Sequence, residues 1–298
     1  MSAIIRKFVP KPFRPALRGV WQKLYHEYKT RKLFGSNARF IPPLGLMHDG
    51  PVGYKEFKEN GEEFFSHYIE LCGLRPDEDM LDVGCGIGRK TLALTGYLND
   101  RGSYVGMDIV KSGVDWCTEK YASKYANFKF QLIDVYNELY NPTGKYKATE
   151  YRFPFADEQF DFVVLNSVFT HMLPKEVENY LGEIARVLKS GGRCLISFFV
   201  LNGESLRLIE AGKSTVDLRY EFGPALALSR EKPEAAIGYD ENYLVGIYEK
   251  CGLEIKRPIS YGSWCGRDNF YSYQDQIVAF RTTSSGSGPD AESNVQGV

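Results

Sequence analysis

The sequence lacks several features that would assign it to a well-marked class of protein. Its six cysteines include no Cys-x-x-Cys pair, which argues against a zinc site and a disulfide framework, so no metal is predicted. No apolar run approaches the roughly 20 residues that a membrane-spanning helix needs. The first residues lack an apolar core with a small-residue cleavage site, so no secretory signal is predicted. A reducing, cytoplasmic location is therefore expected.

Acidic residues are nearly absent from the first forty positions, which hold ten Lys and Arg against Glu27 alone, although the whole chain has a net charge of −1. Between about 16 and 34, apolar residues recur at near-helical spacing, at Val20, Trp21, Leu24, Tyr25, Tyr28 and Leu33. Such a helix could lie on an anionic membrane surface, contact nucleic acid, or pack on the main domain with its charges in water. The weak basic character of the remaining chain counts against nucleic acid.

Short apolar runs alternate with helical patterns through most of the chain. Strands are predicted at 80–84, 104–109, 128–134, 160–167 and 193–200, and in two later segments, GLEIKRPISYGSW and YQDQIVAFRT. Helices are predicted at 54–71, 88–98, 112–124, 174–189 and 240–250. This alternation predicts an α/β fold with a parallel sheet and helices on both faces. The divisions expected are a basic N-terminal extension and loop (1–53), one domain (54–282) and a disordered Ser/Gly-rich tail (283–298).

Two inserts interrupt the alternation, at 135–155 and at 203–238. Because ligands of open α/β sheets bind beyond the carboxyl ends of the strands, these inserts are expected to form lids or substrate walls, or else surface decoration. A third unusual stretch, 260–280, groups aromatic residues near Arg267. They would either stack on a sugar or ring, or pack within the core.

The stretch MLDVGCGIGRKTLAL, residues 80 to 94, places Gly84, Gly86 and Gly88 where a strand turns into a helix. Such a turn presents free backbone N–H groups and the positive end of the helix dipole. Glycine permits positive φ and close approach of a ligand. The dinucleotide fingerprint G-x-G-x-x-G would need its third glycine at 89, which is Arg89. The stretch therefore predicts a ligand site that differs from a dinucleotide turn.

This acid-led spacing, with Asp82 two residues before Gly84, resembles motif I of the class I S-adenosylmethionine-dependent methyltransferases. Asp108 ends the second predicted strand, 20 residues past Gly88, where an acid can accept hydrogen bonds from ribose hydroxyls. The resemblance implies a Rossmann-like seven-strand, mostly parallel sheet and S-adenosylmethionine as the cofactor. It also implies that Asp134 faces the adenine amino group and that Val135 packs on the ring. The cofactor-binding residues expected are Asp82, Gly84, Cys85, Gly86, Gly88, Asp108, Ile109, Asp134, Val135 and Asn166.

The segment FDFVVLNSVFTHML resembles the family's motif IV region, where the chain passes under the methyl group. The signature N-P-P-Y of amino-methylating enzymes is absent, since the chain reads NSVF from Asn166. A hydroxyl acceptor would need a base. His171, just beyond the fourth predicted strand, is the best-placed candidate and is otherwise a structural histidine. His48, in a loop that could fold over the site, is a second candidate.

The predicted activity is methyl transfer to a small molecule or glycan, most simply at oxygen. SVFTHML, SFF and YGSWCGR resemble a bacterial methyltransferase group without a defined substrate, some members of which are associated with cell-surface sugars or glycolipids. The basic arm would then bring the protein to a membrane as a peripheral contact. The alternatives are an NAD-dependent oxidoreductase, an RNA methyltransferase, and a non-catalytic scaffold of the same fold. The sequence leaves the oligomeric state open.

Overall fold

The computed structural model describes residues 14–282, with side chains described from residue 19 onward. The predicted tail, 283–298, and the first thirteen positions of the predicted extension lie outside the described residues. The centre of the fold is a seven-stranded sheet. Its strands are β1 (Asp79–Val83), β2 (Ser103–Asp108), β3 (Phe128–Leu132), β4 (Phe160–Leu165), β5 (Leu188–Phe198), β10 (Leu253–Ile255) and β11 (Asp275–Arg281).

The strand order of this sheet is β10-β11-β5-β4-β1-β2-β3. β1 lies between β2 and β4 in parallel register, with Leu81 opposite both Val105 and Val163. Only β11 runs antiparallel to its neighbours, pairing with β5 and β10. The predicted Rossmann-like, mostly parallel seven-strand fold is confirmed. The carboxyl ends of β1, β2 and β4 consequently meet at one edge, where a site is expected.

Helices cover both faces of the sheet. They are α1 (Arg14–Phe34), α2 (Tyr54–Glu70), α3 (Thr91–Leu94), α4 (Lys111–Cys117), α5 (Pro174–Val187), α6 (Gly203–Glu210) and α7 (Glu241–Lys250). The helix predicted at 88–98 was too long, because only α3 is α-helical there. Thr95 bonds back to the Leu92 carbonyl through its side chain, at 2.8 Å, and Gly96 follows. Both residues are poor helix formers, which explains the short helix.

A second, four-stranded sheet is built partly from the predicted insert 203–238. Its strands are β6 (Val200–Leu201), β7 (Tyr220–Phe222), β8 (Ala225–Ala227) and β9 (Ile237–Asp240), in the order β6-β9-β8-β7. Strands of two to four residues carry too short a pattern to be predicted by alternation. The hydroxyl of Tyr239 on β9 donates to the Met172 carbonyl. The second sheet is therefore attached to the loop that follows β4.

The aromatic stretch 260–280 is largely structural. Trp264 is fully buried and its Nε1 donates to Asp275 Oδ2 at 2.7 Å. Arg267 Nη1 pairs with Asp275 Oδ1 at 3.0 Å. Burial raises the pKa of Asp275 to about 6, against the opposing effect of its N–H donors and of Arg267. The packing interpretation therefore holds for these residues, whereas Tyr271 and Tyr273 are exposed.

Among the side chains described, from residue 19 onward, helix α1 packs on the domain through its carboxyl half. His26 Nδ1 lies 2.8 Å from the Tyr54 hydroxyl, and Leu33 and Phe34 join a cluster around Phe57. The remaining apolar residues of the predicted stripe are exposed, namely Val20, Trp21, Leu24, Tyr25 and Tyr28. Packing on the main domain therefore accounts for Leu33 but not for the rest of the stripe. No helix within 14–282 is long and apolar enough to cross a membrane.

A buried ion pair joins β5 to the segment before β1. Arg193 Nη1 and Nη2 lie 3.0 and 2.6 Å from the two carboxylate oxygens of Glu78, which is 1% exposed. Removing one charge of a buried pair leaves the other uncompensated.

We predict that Glu78→Gln lowers the free energy of unfolding in urea by about 3 to 5 kcal/mol. Asp115→Asn, which breaks the exposed Lys111 pair, is the control and should cost about 0.5 kcal/mol or less. Equal losses would contradict the prediction.

Candidate functional site

A cleft opens at the carboxyl ends of β1, β2 and β4. It is bounded by the glycine turn, the loops after β2, β3 and β4, and the loop at 48–50. Eight of the predicted site residues line it, namely His48, Gly84, Gly86, Asp108, Ile109, Val135, Asn166 and His171. Asp82, Cys85, Gly88 and Asp134 do not. The structure thus brings most of the predicted set to one place.

The glycine turn is held by backbone hydrogen bonds to the end of β2. Gly84 N donates to the Met107 carbonyl at 2.8 Å, and Gly84 and Gly86 have φ of +80° and +57°. A Cβ at Gly84 would lie 2.3 Å from Val168, and one at Gly86 would lie 2.3 Å from Asp49 Oδ2. Only glycine therefore leaves bare backbone facing the cleft at these two positions.

Asp82 lies behind the turn rather than in the cleft. Its carboxylate is fully buried, with Lys90 Nζ at 3.1 Å and the Tyr104 hydroxyl at 2.8 Å. Lys90 also donates to the Gly84 carbonyl at 3.0 Å. Asp82 therefore stabilises the turn through Lys90, which also compensates the charge of the Asp82 carboxylate.

Cys85 and Gly88 also serve packing. Cys85 is fully buried, and burial raises the pKa of its thiol well above the ordinary value, which disfavours the thiolate. A Cβ at Gly88 would lie 2.8 Å from Tyr121, so this glycine allows the turn to pack on helix α4 and the turn that follows it. Neither residue presents a side chain to a ligand.

Asp108, at the end of β2, is the acid best placed for a ligand. Its Oδ2 accepts from Gly86 N and its Oδ1 accepts from Val110 N, both at 2.8 Å. Burial raises the pKa of this carboxyl, while the two N–H donors act in the opposite direction. Each oxygen keeps an unused lone pair, so the carboxylate can still accept hydrogen bonds from hydroxyl groups.

After β3 the structure separates the two residues that were predicted for an adenine ring. Val135 is buried and lines the cleft. Asp134 has a side chain that is 42% exposed and lies 3.5 Å from Lys145 Nζ. The alternation of side chains along an extended chain explains why the neighbours point apart.

The loop after β4 begins with Asn166 and Ser167. Asn166 Nδ2 donates to the Tyr68 hydroxyl at 2.9 Å, while its buried Oδ1 has no partner within the described residues. Ser167 has a φ of +57°, which is unusual for a residue other than glycine, and its N–H donates to Ser197 Oγ at 2.7 Å. Strained backbone of this kind is maintained by surrounding structure and is common at binding sites.

His171 lies at the far side of the cleft, where the two inserts meet. Its Nδ1 is 2.8 Å from the Glu234 carbonyl, and Tyr140 packs edge-on against its ring at 5.7 Å. Burial lowers the pKa of this imidazole below its ordinary value of 6.5, although two backbone carbonyls act in the opposite direction. The ring is therefore neutral at physiological pH.

Sequence reasoning missed part of the site, because Asp49 and Gly50 were not among the predicted residues. They follow His48 in a loop that lies against the glycine turn. Arg89 Nη2 donates to the Asp49 carbonyl and lies 3.5 Å from its Oδ1. The only available signal was the Gly- and Pro-rich composition of residues 41–53, which indicates a loop without locating it.

Comparison with known proteins identifies the domain. Residues 81–196 match the family model of the methyltransferase domain. The chain is 31% identical over 170 residues to the eEF1A lysine and N-terminal methyltransferase of Bos taurus, covering 51% of this chain and 22% of that protein. It is 24% identical over 222 residues to the sterol 4-C-methyltransferase strm-1 of Caenorhabditis elegans, covering 74% and 58%. It is 30% identical over 165 residues to the O-methyltransferase cnsE of Penicillium expansum, covering 52% of each. The chain thus spans less than two thirds of these relatives' lengths.

A solved structure shares the fold. A protein from Pyrococcus horikoshii OT3 superposes with a TM-score of 0.52 at 16% identity, covering 78% of this chain and 93% of that one. Magnesium protoporphyrin IX methyltransferase from Synechocystis PCC 6803 gives a TM-score of 0.48 at 17% identity, covering 88% and 100%.

The site fits the family's cofactor. Gly84 and Gly86 line the cleft with bare backbone, and Asp108, which also lines it, keeps acceptor positions for ribose hydroxyls. The unpartnered Asn166 Oδ1 is an acceptor in the cleft wall, which suits an ammonium or hydroxyl donor. These three features match the hydroxyl and amino donors of S-adenosylmethionine.

We predict that Gly86→Val abolishes cofactor binding, because its Cβ would lie 2.3 Å from Asp49 Oδ2 and the φ of +57° would be strained, so the turn that lines the cleft would be displaced. In calorimetry, the affinity for S-adenosylhomocysteine should fall at least about 100-fold, which corresponds to about 2.8 kcal/mol. Gly246→Val in α7, where a Cβ meets nothing within 4 Å, is the control and should bind normally. Normal binding by a folded Gly86→Val protein would disprove the role of the turn.

The family match, the fold and the cleft agree with one another. The match covers β1 to β5, the five parallel strands of the sheet, which include the glycine turn and Asp108. The chain therefore contains a class I S-adenosylmethionine-dependent methyltransferase domain, with S-adenosylmethionine as its cofactor.

Proposed function

We propose that the protein transfers a methyl group from S-adenosylmethionine to a hydroxyl oxygen of a small molecule or glycan, with residues 54–282 as the catalytic unit. The observation that carries this proposal is the hydrogen bond between His171 Nδ1 and the Glu234 carbonyl. A carbonyl oxygen only accepts, so Nδ1 bears the proton and the neutral ring has a lone pair on Nε2. His171 therefore lines the cleft as a neutral imidazole whose Nε2 can act as a base.

The cofactor, when bound, supplies an activated methyl group, so the chain mainly positions the reactants. A hydroxyl is a weak nucleophile until its proton is removed. The lone pair on His171 Nε2 can take that proton while the Glu234 carbonyl stabilises the imidazolium through Nδ1. Because burial lowers the pKa of His171, the base form dominates at neutral pH.

The acceptor side of the cleft is formed by the two inserts. Glu234 Oε2 accepts from the N–H of Glu138 at 2.8 Å, which joins the second insert to the first. Asn137 Nδ2 donates to the His171 carbonyl at 3.3 Å, and Tyr136 and Tyr140 are partly exposed beside it. Aromatic rings with a few polar groups suit a sugar or another ring-shaped neutral molecule.

The charges of the cleft disfavour an anionic acceptor group. Asp49, Asp108 and Glu176 line it, whereas no Lys or Arg occurs among the described residues that do. A carboxylate or phosphate at the methylated end would be repelled there. Among the relatives, one is named a sterol 4-C-methyltransferase and another an O-methyltransferase, so the second name supports transfer to oxygen. The glycan or glycolipid alternative rests on the sequence resemblance.

We predict that His171→Ala lowers the turnover number about 100- to 10,000-fold, because a general base is lost. The affinity for S-adenosylhomocysteine should change less than about threefold, since Nε2 serves the acceptor. Transfer from isotopically labelled donor to fractionated lipids, glycans and RNA would first identify the acceptor.

In the unaltered enzyme, the turnover number should fall at low pH as His171 becomes protonated. Because burial lowers the pKa of His171, the midpoint of this fall should lie below pH 6.5.

His26→Ala is the matched control, because that imidazole contacts Tyr54 and lies in helix α1. Its turnover should equal that of the unaltered protein. Normal turnover by His171→Ala would make His171 structural. Cofactor binding without transfer to any fraction would favour the scaffold alternative instead.

We also propose that helix α1 brings the protein to an anionic membrane as a peripheral contact. Val20, Trp21, Leu24, Tyr25 and Tyr28 occupy one face and are exposed, Val20 by 57% and Tyr28 by 62%. Exposed basic residues flank this face at Lys23, Arg31 and Lys32. Aromatic and apolar groups with flanking cations match the interface between lipid headgroups and acyl chains.

We predict that the Trp21→Ser, Leu24→Ser double variant loses at least about tenfold in affinity for phosphatidylserine-containing vesicles, since about 1.4 kcal/mol of apolar burial would be lost. Sedimentation with vesicles is the measurement. Leu228→Ser removes an exposed apolar residue elsewhere and should bind as the unaltered protein does. Equal binding to phosphatidylcholine vesicles, or unchanged binding by the double variant, would reject this contact.

A further inference from the structure

The loop before α2 lies directly over the glycine turn. We call residues 47–50 the strap. Met47 is buried in a cluster with Ile41, Tyr54 and Phe57, which anchors one end of the strap. Arg89 anchors the other end through Asp49, while its own guanidinium is buried and lies 5.0 Å from the Phe57 ring. The strap is therefore held against the turn from two sides.

His48 is the strap residue whose hydrogen bonding is incomplete. Its Nδ1 lies 3.0 Å from the Leu46 carbonyl, so Nδ1 carries the proton and Nε2 is left as an acceptor. Nε2 is buried and has no partner among the described residues. A buried acceptor without a partner costs desolvation free energy, so its presence in a cleft wall indicates a missing donor.

The position of His48 identifies that donor. A Cβ on Gly113 would lie 2.7 Å from the Gly86 carbonyl and 3.1 Å from His48 Cε1, which places the imidazole beside the glycine turn and the start of α4. Gly86 N is in turn held by Asp108. His48 and Asp108 therefore flank the same part of the cleft, at the carboxyl end of β2.

We propose that His48 Nε2 is the second acceptor for the cofactor's ribose diol, beside the Asp108 carboxylate. The inference rests on the cofactor assignment and deepens it. A vicinal diol offers two O–H donors, and the Asp108 oxygens each already accept one backbone N–H. His48, which lines the same part of the cleft, contributes a further lone pair on Nε2. In this assignment His48 binds the cofactor, and His171 is the general base that acts on the acceptor hydroxyl.

This assignment makes Arg89 and Asp49 positioning residues. The ion pair at 3.5 Å and the bond from Arg89 to the Asp49 carbonyl fix the main chain next to His48. The structure thus explains why an arginine follows Gly88, where the dinucleotide fingerprint has its third glycine.

The test uses two ligands, S-adenosylhomocysteine and its 2′,3′-dideoxy analogue, and titration calorimetry on the full chain. We expect His48→Ala to lower the affinity for S-adenosylhomocysteine about tenfold and to leave the affinity for the dideoxy analogue within about twofold, because only the first ligand has the diol. His48→Gln keeps a side-chain acceptor and should recover part of the loss. His26→Ala is the matched histidine control and should bind both ligands normally.

Equal losses for both ligands in His48→Ala and His48→Gln would mean that His48 only supports the strap, and would overturn the proposal. Unchanged affinity for S-adenosylhomocysteine would overturn it as well. In both cases the unaltered protein still binds the cofactor, so the methyltransferase assignment stands. If the unaltered protein binds neither ligand, the cofactor assignment and the role of His48 fail together.

Discussion

One hydrogen bond, from the backbone N–H of Gly86 to the carboxylate of Asp108, sets the geometry on which the site depends. At 2.8 Å it ties the end of β1 to the end of β2 and holds the turn open. The backbone of the turn is uncovered because Gly84 and Gly86 have no side chains. Behind the turn, Lys90 compensates the charge of the Asp82 carboxylate. Backbone and one carboxylate thus form a surface that accepts a nucleoside with hydroxyl and amino donors.

The two cleft histidines share one physical device. In each, Nδ1 donates a hydrogen bond to a backbone carbonyl, His48 to that of Leu46 and His171 to that of Glu234, which leaves Nε2 as an acceptor. Their locations separate their proposed roles. His48 lies beside the glycine turn, on the cofactor side, whereas His171 lies where the two inserts meet, on the acceptor side. Burial lowers the pKa of His171, which suits a base at neutral pH.

The central sheet and the glycine turn could be predicted because their signals are local. The alternation of strands and helices, and the fixed spacing of the glycines, can both be recognised from residues that are close together in the sequence. The second sheet escaped prediction because its strands are only two to four residues long. The contact of Asp49 with Arg89 joins positions forty residues apart, and no local pattern encodes it. The placement of Asp82 and Asp134 outside the cleft lining depends on side-chain direction, which a motif does not specify.

The most direct test of the central claim is a crystal structure of the protein grown with saturating S-adenosylhomocysteine. The account predicts one nucleoside per chain, with a ribose hydroxyl within hydrogen-bond distance of Asp108 and the amino-acid part against Gly84 and Gly86. A nucleoside bound away from the carboxyl ends of β1 and β2, or a cleft that stays without ligand at that concentration, would contradict it.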